Sequence, residues 1–491
     1  MSNSGSAGTG NDGGVFSDGL PRARPCAVGV DARIVEQCLE KLASAGIDIH
    51  SFVLHRRDHI AVEMYRWPHG PERPRLMHSV AKSFTACAIG IALEEGRFSL
   101  TDRVIDFFPE YFSRPPEPKL AAMTVEDLLT MRIGHAQETS GAVWRGLRGS
   151  WIREFFAIPV VHQPGTVYRY TSAASYMLSA ILTRVTGQTL HEYLRPRLFA
   201  PLGITGEIWD IGPDGINPGG NGLRCKTVDV LKLGVLHAKR GVWDGERLLS
   251  EEWIARATRA HSPSGYGYHW VSGPGRSFAA MGVFGQMLVV FPDQEATLAL
   301  TAAVNGEHAC TDVLAPLLHK YFPAAFRDGS LRQSDAEERL IQRTRDAATA
   351  PRLISHERPD KPRGVQVYRV EPNALGVSSL QLTLNERECT LLLVDEEGGH
   401  EVVMGIDRWL EGETRVPGQS LHHGYDMRPA RVVAGARWLD RETLEMTWIF
   451  VETAFRDTVI CRFSGDQLSF ARSVNVNSGP LQQPELLAHR V

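Results

Sequence analysis

Ser79 and Lys82 stand three residues apart in His78-Ser79-Val80-Ala81-Lys82-Ser83-Phe84-Thr85, ahead of the apolar run Ala86-Cys87-Ala88-Ile89-Gly90-Ile91-Ala92-Leu93. On a helix, residues at this spacing share one face, which puts the hydroxyl and the amine within reach of each other. The first turn of a helix also favours negative charge developing on the serine. Its neighbours are small or apolar, so the lysine is partly desolvated, and desolvation lowers a lysine pKa toward values at which it accepts a proton. The chemistry on offer is a serine nucleophile activated without a histidine. The plain alternative is a lysine at a helix start that snorkels to solvent.

Two further stretches offer matching groups. In Tyr168-Arg169-Tyr170-Thr171-Ser172-Ala173 an extended piece runs into a helix with Met177, Leu178, Ile181 and Leu182 on its apolar face. Tyr170 sits at that junction, from which a phenol can point into a cleft; taken alone it equally reads as a core tyrosine. The run Phe278-Ala279-Ala280-Met281-Gly282-Val283 is strand-like, and Gly282 suits either close sheet packing or close approach of backbone to ligand.

The elements around these groups follow from periodicity. A helix is expected over 31–45, with Val35, Cys38, Leu39 and Leu42 on one face, then a hairpin of strands at 51–56 and 59–66 turning at Arg57-Asp58. Gly96 is placed to end the helix that starts at the serine. Thr124-Val125-Glu126-Asp127 is a capping box. Residues 212–223, rich in Gly, Pro and Asn, read as a loop. Strands at 278–291 and 296–302 are apolar on both faces, as in a sheet covered by helices on each side. Residues 1–25 read as a disordered tail, 26–327 as the first domain, 328–363 as a charged, Pro-rich linker containing a helix, 364–480 as a second domain of short strands, and 481–491 as a tail. The second domain reads as an antiparallel barrel or sandwich.

With 53 basic and 57 acidic residues among 491, the chain carries a net charge of −4, which suggests neither a nucleic-acid nor an anionic-membrane surface. Seven scattered cysteines without a C-x-x-C pair argue against a disulfide framework or a zinc site and fit a reducing compartment. A soluble cytoplasmic protein, binding no nucleic acid and no membrane, is the expectation; the oligomeric state stays open.

Taken together, Ser79-Val80-Ala81-Lys82, Tyr170-Thr171-Ser172 and Ala280-Met281-Gly282 resemble, in order and spacing, the serine β-lactamase and penicillin-binding-protein superfamily, in its class C-like esterase and peptidase branch. The likeness covers roughly 45–322. It implies an α/β (α+β) domain, an antiparallel sheet flanked by helices with a helical lobe inserted, and the β-rich C-terminal part is similar to the lipocalin-like domains of some members. It implies a serine hydrolase that forms an acyl-serine on small-molecule or peptide-like esters or amides. Ser79, Lys82 and Tyr170 would be catalytic, and Ser172, Met281, Gly282 and Val283 would bind or orient substrate, with oxyanion donors at the backbone of Ser79 and Val283. Lys82 would favour an ionised Tyr170. No metal or organic cofactor is implied. An acyltransferase or peptide cyclase, or a non-catalytic penicillin-binding module, would share these residues. The family's third-motif cation is replaced by Ala280 and its usual Asn by Ser172, which bears on substrate class.

Overall fold

The computed structural model describes residues 18–491 apart from 140, 307, 361, 362 and 419. The first domain is built on a six-stranded antiparallel sheet. Its strands are β1 (Asp48–Arg56), β2 (His59–Tyr65), β3 (Val271–Ser272), β4 (Phe278–Gly282), β5 (Gln286–Phe291) and β6 (Ala296–Ala303), in spatial order β2-β1-β6-β5-β4-β3. Arg57 and Asp58, both at positive φ (47° and 67°), make the tight β1–β2 turn. Alternate side chains feed two cores. Val53, Leu288 and Val290 face an inner core, whereas Phe52, Leu54, Met287 and Val289 face an outer one.

The outer core is covered by α1 (Ala32–Ser44) and by two helices from later in the chain. The inner core holds α2 (Ala81–Glu94), α3 (Gly141–Gly146), α4 (Ser172–Thr186) and α5 (Thr227–Ala238), together with the shorter helices of the lobe. All of residues 81–92 are buried, so α2 is apolar all round because it is wrapped all round. Gly96, at φ 68°, closes its C-terminal turn with an N–H···O bond to Leu93 at 3.0 Å. The outer helices are α6 (Ala315–Tyr321) and α7 (Asp335–Ala347). The expected linker 328–363 is therefore not linker throughout: α7 buries Ala336 and Leu340 in the outer core, and Arg339 pairs with Glu36 on α1 at 3.0 Å.

The second domain is a closed barrel of β7 (Gly364–Val370), β8 (Ser379–Leu384), β9 (Glu388–Asp395), β10 (Gly398–Ile406), β11 (Trp409–Thr414), β12 (Ala430–Asp440), β13 (Thr443–Phe450), β14 (Arg456–Ser464), β15 (Gln467–Val474) and β16 (Leu486–Arg490). A parallel pairing of Gly405 with Gly435 and of Ile406 with Ala436 joins β10 to β12 and closes the ring, while β11 hangs on β12 outside it. Two expectations change here. The stretch 481–491 is not a tail, because β16 fills the gap between β7 and β15. At the other end, Leu20 is buried in the inner core and Arg22 pairs with Asp18 and Glu63, so 18–25 is ordered; the rest of the expected tail lies outside the described residues. Trp448, Met446 and Met404 fill the barrel interior.

The barrel docks against the chain entering α2. Leu76 N–H donates to Glu452 O at 2.7 Å, Arg75 Nη1 to Val451 O at 2.6 Å, and Arg73 forms a two-pronged pair with Glu411 at 2.8 Å. Phe284, in the turn after β4, belongs to the barrel's core. Among the described residues no helix is long and apolar enough to cross a membrane.

Candidate active site

Ser79 lies in a single 3-10 turn, residues His78–Val80, that runs directly into α2, and it is partly buried between fully buried neighbours. His78 holds φ 46°, a left-handed conformation unfavourable for a side chain with a Cβ, which the surrounding packing enforces. The turn is pinned by β4: a Cβ on Gly282 would stand 2.6 Å from Met77 O and 3.2 Å from His78 Cβ. Only glycine lets the sheet edge approach the serine turn this closely.

Lys82, one turn on, is 1% exposed. Its Nζ lies 3.1 Å from Ser79 Oγ, 3.3 Å from Ser172 Oγ and 2.8 Å from Gly220 O. Burial, and then the positive charge of Arg145, bring its pKa down from 10.5 to about 7. A neutral amine in this cage donates one hydrogen to Gly220 O and one to Ser172 Oγ. Its lone pair then faces the Ser79 hydroxyl.

Tyr170 lies across the serine, with its ring centroid 4.9 Å from Lys82 Nζ. Burial pushes its phenol well above the ordinary value, and its contact with Ser79 is the main influence in the other direction. This runs against the expected partition of charge: burial favours the neutral phenol on Tyr170 and the neutral amine on Lys82. The reason is that desolvation opposes charge on both groups, disfavouring phenolate and ammonium alike. Ser172 opens α4 behind the Thr171 cap.

The third stretch divides. Gly282 and Ala280 lie on the serine side of the sheet, and Val283 begins the turn toward the barrel. Met281 packs on the outer core, away from the cleft, because successive strand residues face opposite ways. Neither nearby cation replaces the missing third-motif charge. Arg276 is exposed and paired with Asp293, and His269 is buried with its imidazole pushed down to about 3 by burial. His269 instead ties helices together, through Ser175 at 3.1 Å and through its carbonyl, which accepts from Ser83 at 2.8 Å.

Sequence reasoning missed two contributions. Gly220, the carbonyl that holds Lys82, comes from the glycine-rich loop, where Gly219 (φ 68°) presses onto α4 with room for no Cβ, 2.5 Å from Ser175 O. The Gly-Gly pair was the available signal. The second contribution comes from the barrel. His78 packs edge-on to Phe284 (5.5 Å) and Tyr425 (5.5 Å), and Phe284 to Phe455 (5.6 Å) and His423 (5.3 Å). The loop carrying His423 and Tyr425 is anchored by buried His422, whose Nε2 is 2.8 Å from Asp457, itself bonded to Arg472 at 2.8 Å. Burial alone would raise the Asp457 pKa, but His422 and Arg472 outweigh it and hold the carboxyl below its ordinary value.

The β-lactamase family model matches residues 39–321, the span that carries every one of these first-domain groups. The chain belongs to the β-lactamase family. It is 24% identical over 233 residues to the 6-aminohexanoate-dimer hydrolase of Paenarthrobacter ureafaciens, a match covering 45% of this chain and 58% of that protein, less than two thirds of its length. It is 27% identical over 288 residues to penicillin-binding protein 4 of Amycolatopsis lactamdurans, covering 49% and 75%. In fold, a candidate β-lactamase from Bacteroides dorei superposes with a TM-score of 0.50 at 16% identity, covering 64% of this chain and 98% of that one.

Proposed function

We propose that this protein is a serine hydrolase that cleaves esters or amides through an acyl-Ser79 intermediate. The observation that carries the reading is Lys82: a buried amine with a pKa near 7, 3.1 Å from the hydroxyl of a partly buried serine. Neutral Lys82 takes the Ser79 proton as Oγ attacks the carbonyl carbon. The oxyanion forms between the backbone N–H groups of Ser79 and Val283, each such donor being worth about 3 kcal/mol. As the intermediate collapses, the Tyr170 phenol gives its proton to the leaving group and regains one from Lys82. Water then attacks the acyl-enzyme by the reverse sequence, returning Ser79 and the acid. Ser172 and Gly220 hold Lys82 on its rotamer. Relatives named as an amide-dimer hydrolase and, at 29% identity over 149 residues, a lovastatin esterase of Penicillium rubens support hydrolysis of amides or esters.

The test is covalent labelling. A fluorophosphonate should attach to Ser79 in the native protein, located by peptide mass spectrometry, and fail to label Ser79→Ala. A label on another residue, or equal labelling of the variant, would remove the assignment.

A further inference from the structure

A cavity opens where the two domains meet, outside the serine cleft. It holds about 480 Å³, the size of a small-molecule site, and none of Ser79, Lys82, Tyr170 or Ser172 lines it. Its walls come from β1 and the chain just after β2, from the end of α7, and from the outer face of the barrel at β11–β13. Two buried histidines of the first domain form part of the lining. His50 and His69 are 5% and 4% exposed, and their rings stack with centroids 4.0 Å apart. Arg75, 2% exposed, holds both: Nη2 donates to His50 Nδ1 and Nη1 to His69 Nδ1, each at 2.5 Å. Val451 O, 3.3 Å from His69 Nδ1, takes the other Nη1 hydrogen at 2.6 Å. A guanidinium only donates, so both Nδ1 atoms accept and each ring carries its proton on Nε2. Among the described residues neither Nε2 has a hydrogen-bond partner. Burial, with positive neighbours that include Arg75, holds both imidazoles well below their ordinary pKa, so each is a neutral donor.

Charges on the lining balance in number, with Arg66, Arg437 and Arg456 against Asp48, Asp346 and Glu445. Their pairing is uneven. Arg437 has Glu445 to itself at 2.6 Å, whereas Arg66 and Arg456 share Asp48, and Asp346 accepts from Gln342 at 2.8 Å. Arg75 makes no ion pair among the described residues, and its Nε is buried without a partner. An unpaired buried charge loses its hydration without recompense. The excess is therefore one positive charge, with two N–H donors belonging to the rings it holds. Trp67 and Trp409, ring centroids 5.0 Å apart, supply a flat apolar wall. We propose that this cavity is a ligand site separate from the Ser79 cleft, and that it takes a small organic anion with one carboxylate and a flat aromatic body. The carboxylate accepts from His50 and His69, and the body lies against Trp67 and Trp409. Phe455 lines the cavity and packs on Phe284 at 5.6 Å, so the occupant bridges the two domains close to the ring cluster around His78. Nothing in this site depends on Ser79 chemistry.

The test is calorimetric titration of the full native chain with benzoate, benzamide, benzylamine and inorganic phosphate. Benzoate should bind one site with a Kd below about 1 mM, as a good ligand of its size can. It should bind about 10- to 100-fold more tightly than its neutral and cationic analogues, the range of a hydrogen bond to a charged group. Phosphate, which lacks the apolar body, should bind more weakly than benzoate. The affinity for benzoate should fall about threefold in Arg456→Gln, an exposed charge, and about tenfold in Trp409→Leu, which removes part of the wall. Saturating benzoate should leave Ser79 open to the fluorophosphonate. Benzoate binding no tighter than benzamide or benzylamine overturns the inference, as does phosphate as the tightest probe. Benzoate affinity unchanged in both variants, or protection of Ser79 by benzoate, overturns it as well. The native probe series decides the matter even where a variant does not fold. Absence of a fluorophosphonate label removes the hydrolase reading alone and leaves this site standing on its titrations.

Discussion

Replacing Lys82 with methionine, and titrating the native enzyme, tests the central electrostatic claim. Among the described residues, Lys82 Nζ hydrogen-bonds to Ser79, Ser172 and Gly220 O, and its largest charged influence is the like charge of Arg145. Lowering its pKa from 10.5 to about 7 corresponds to about 5 kcal/mol against the ammonium form. At pH 6 about a tenth of the enzyme then holds neutral Lys82, at pH 7 about half, and at pH 8 about nine-tenths. If the neutral amine is the base that activates Ser79, kcat/KM for a nitrophenyl ester should rise about tenfold from pH 6 to pH 8 along a single-proton curve and then level off. Arg145→Gln should move the inflection upward, because a positive neighbour is lost. Lys82→Met should keep the fold, as judged by circular dichroism, and lose about 100- to 10,000-fold in kcat/KM. A profile flat across this range, or a Lys82→Met enzyme within tenfold of the native one, would refute the assignment of Lys82 as base.

A chromogenic cephalosporin should be turned over far more slowly than a nitrophenyl ester on the same preparation, because the strand position that meets the β-lactam carboxylate in this family is Ala280; comparable turnover would show that the strand is not the deciding element. Phe284→Ala removes a side chain 1% exposed that joins the β4 turn to the barrel, and should cost about 3–5 kcal/mol of unfolding free energy, measured by denaturant titration, while lowering kcat through the displaced Val283. Acid should destabilise the fold early. Burial holds His55, His135 and His237 down to about 4 when folded, against 6.5 when unfolded. The unfolded chain therefore takes up protons that the folded one refuses, and the stability these groups contribute is intact above pH 6.5 and declines as pH falls through 6.5 toward 4. Each contributes about 2 kcal/mol of loss by pH 5, and His237→Gln should shallow the decline of melting temperature over that window.

The amino-acid sequence by itself determined what is local. Ser79 and Lys82 come within reach because they are one helical turn apart, before Ser172 and Gly220 fix the amine in place. The β1–β2 hairpin, the apolar face of α1 and the Gly96 terminus follow from patterning and turn chemistry in the same way. Tyr170 and Ser172 were legible as the junction of an extended piece with a helix, although only the motif order linked them to Ser79 across some ninety residues. Tertiary structure decided the rest. Gly220 O reaches Lys82 from 138 positions away, and Arg145 meets His423 from 278 away. Such contacts depend on how helices and the barrel pack, which no short window of residues encodes. Strand parity turned Met281 from the cleft, and the short segment Leu486–Arg490 became a strand only because β7 and β15 leave a place for it. The protonation pattern belongs to this second class as well. Lysine and tyrosine enter with ordinary pKa values, and burial on all sides, a property of the assembled core, shifts both toward their neutral forms.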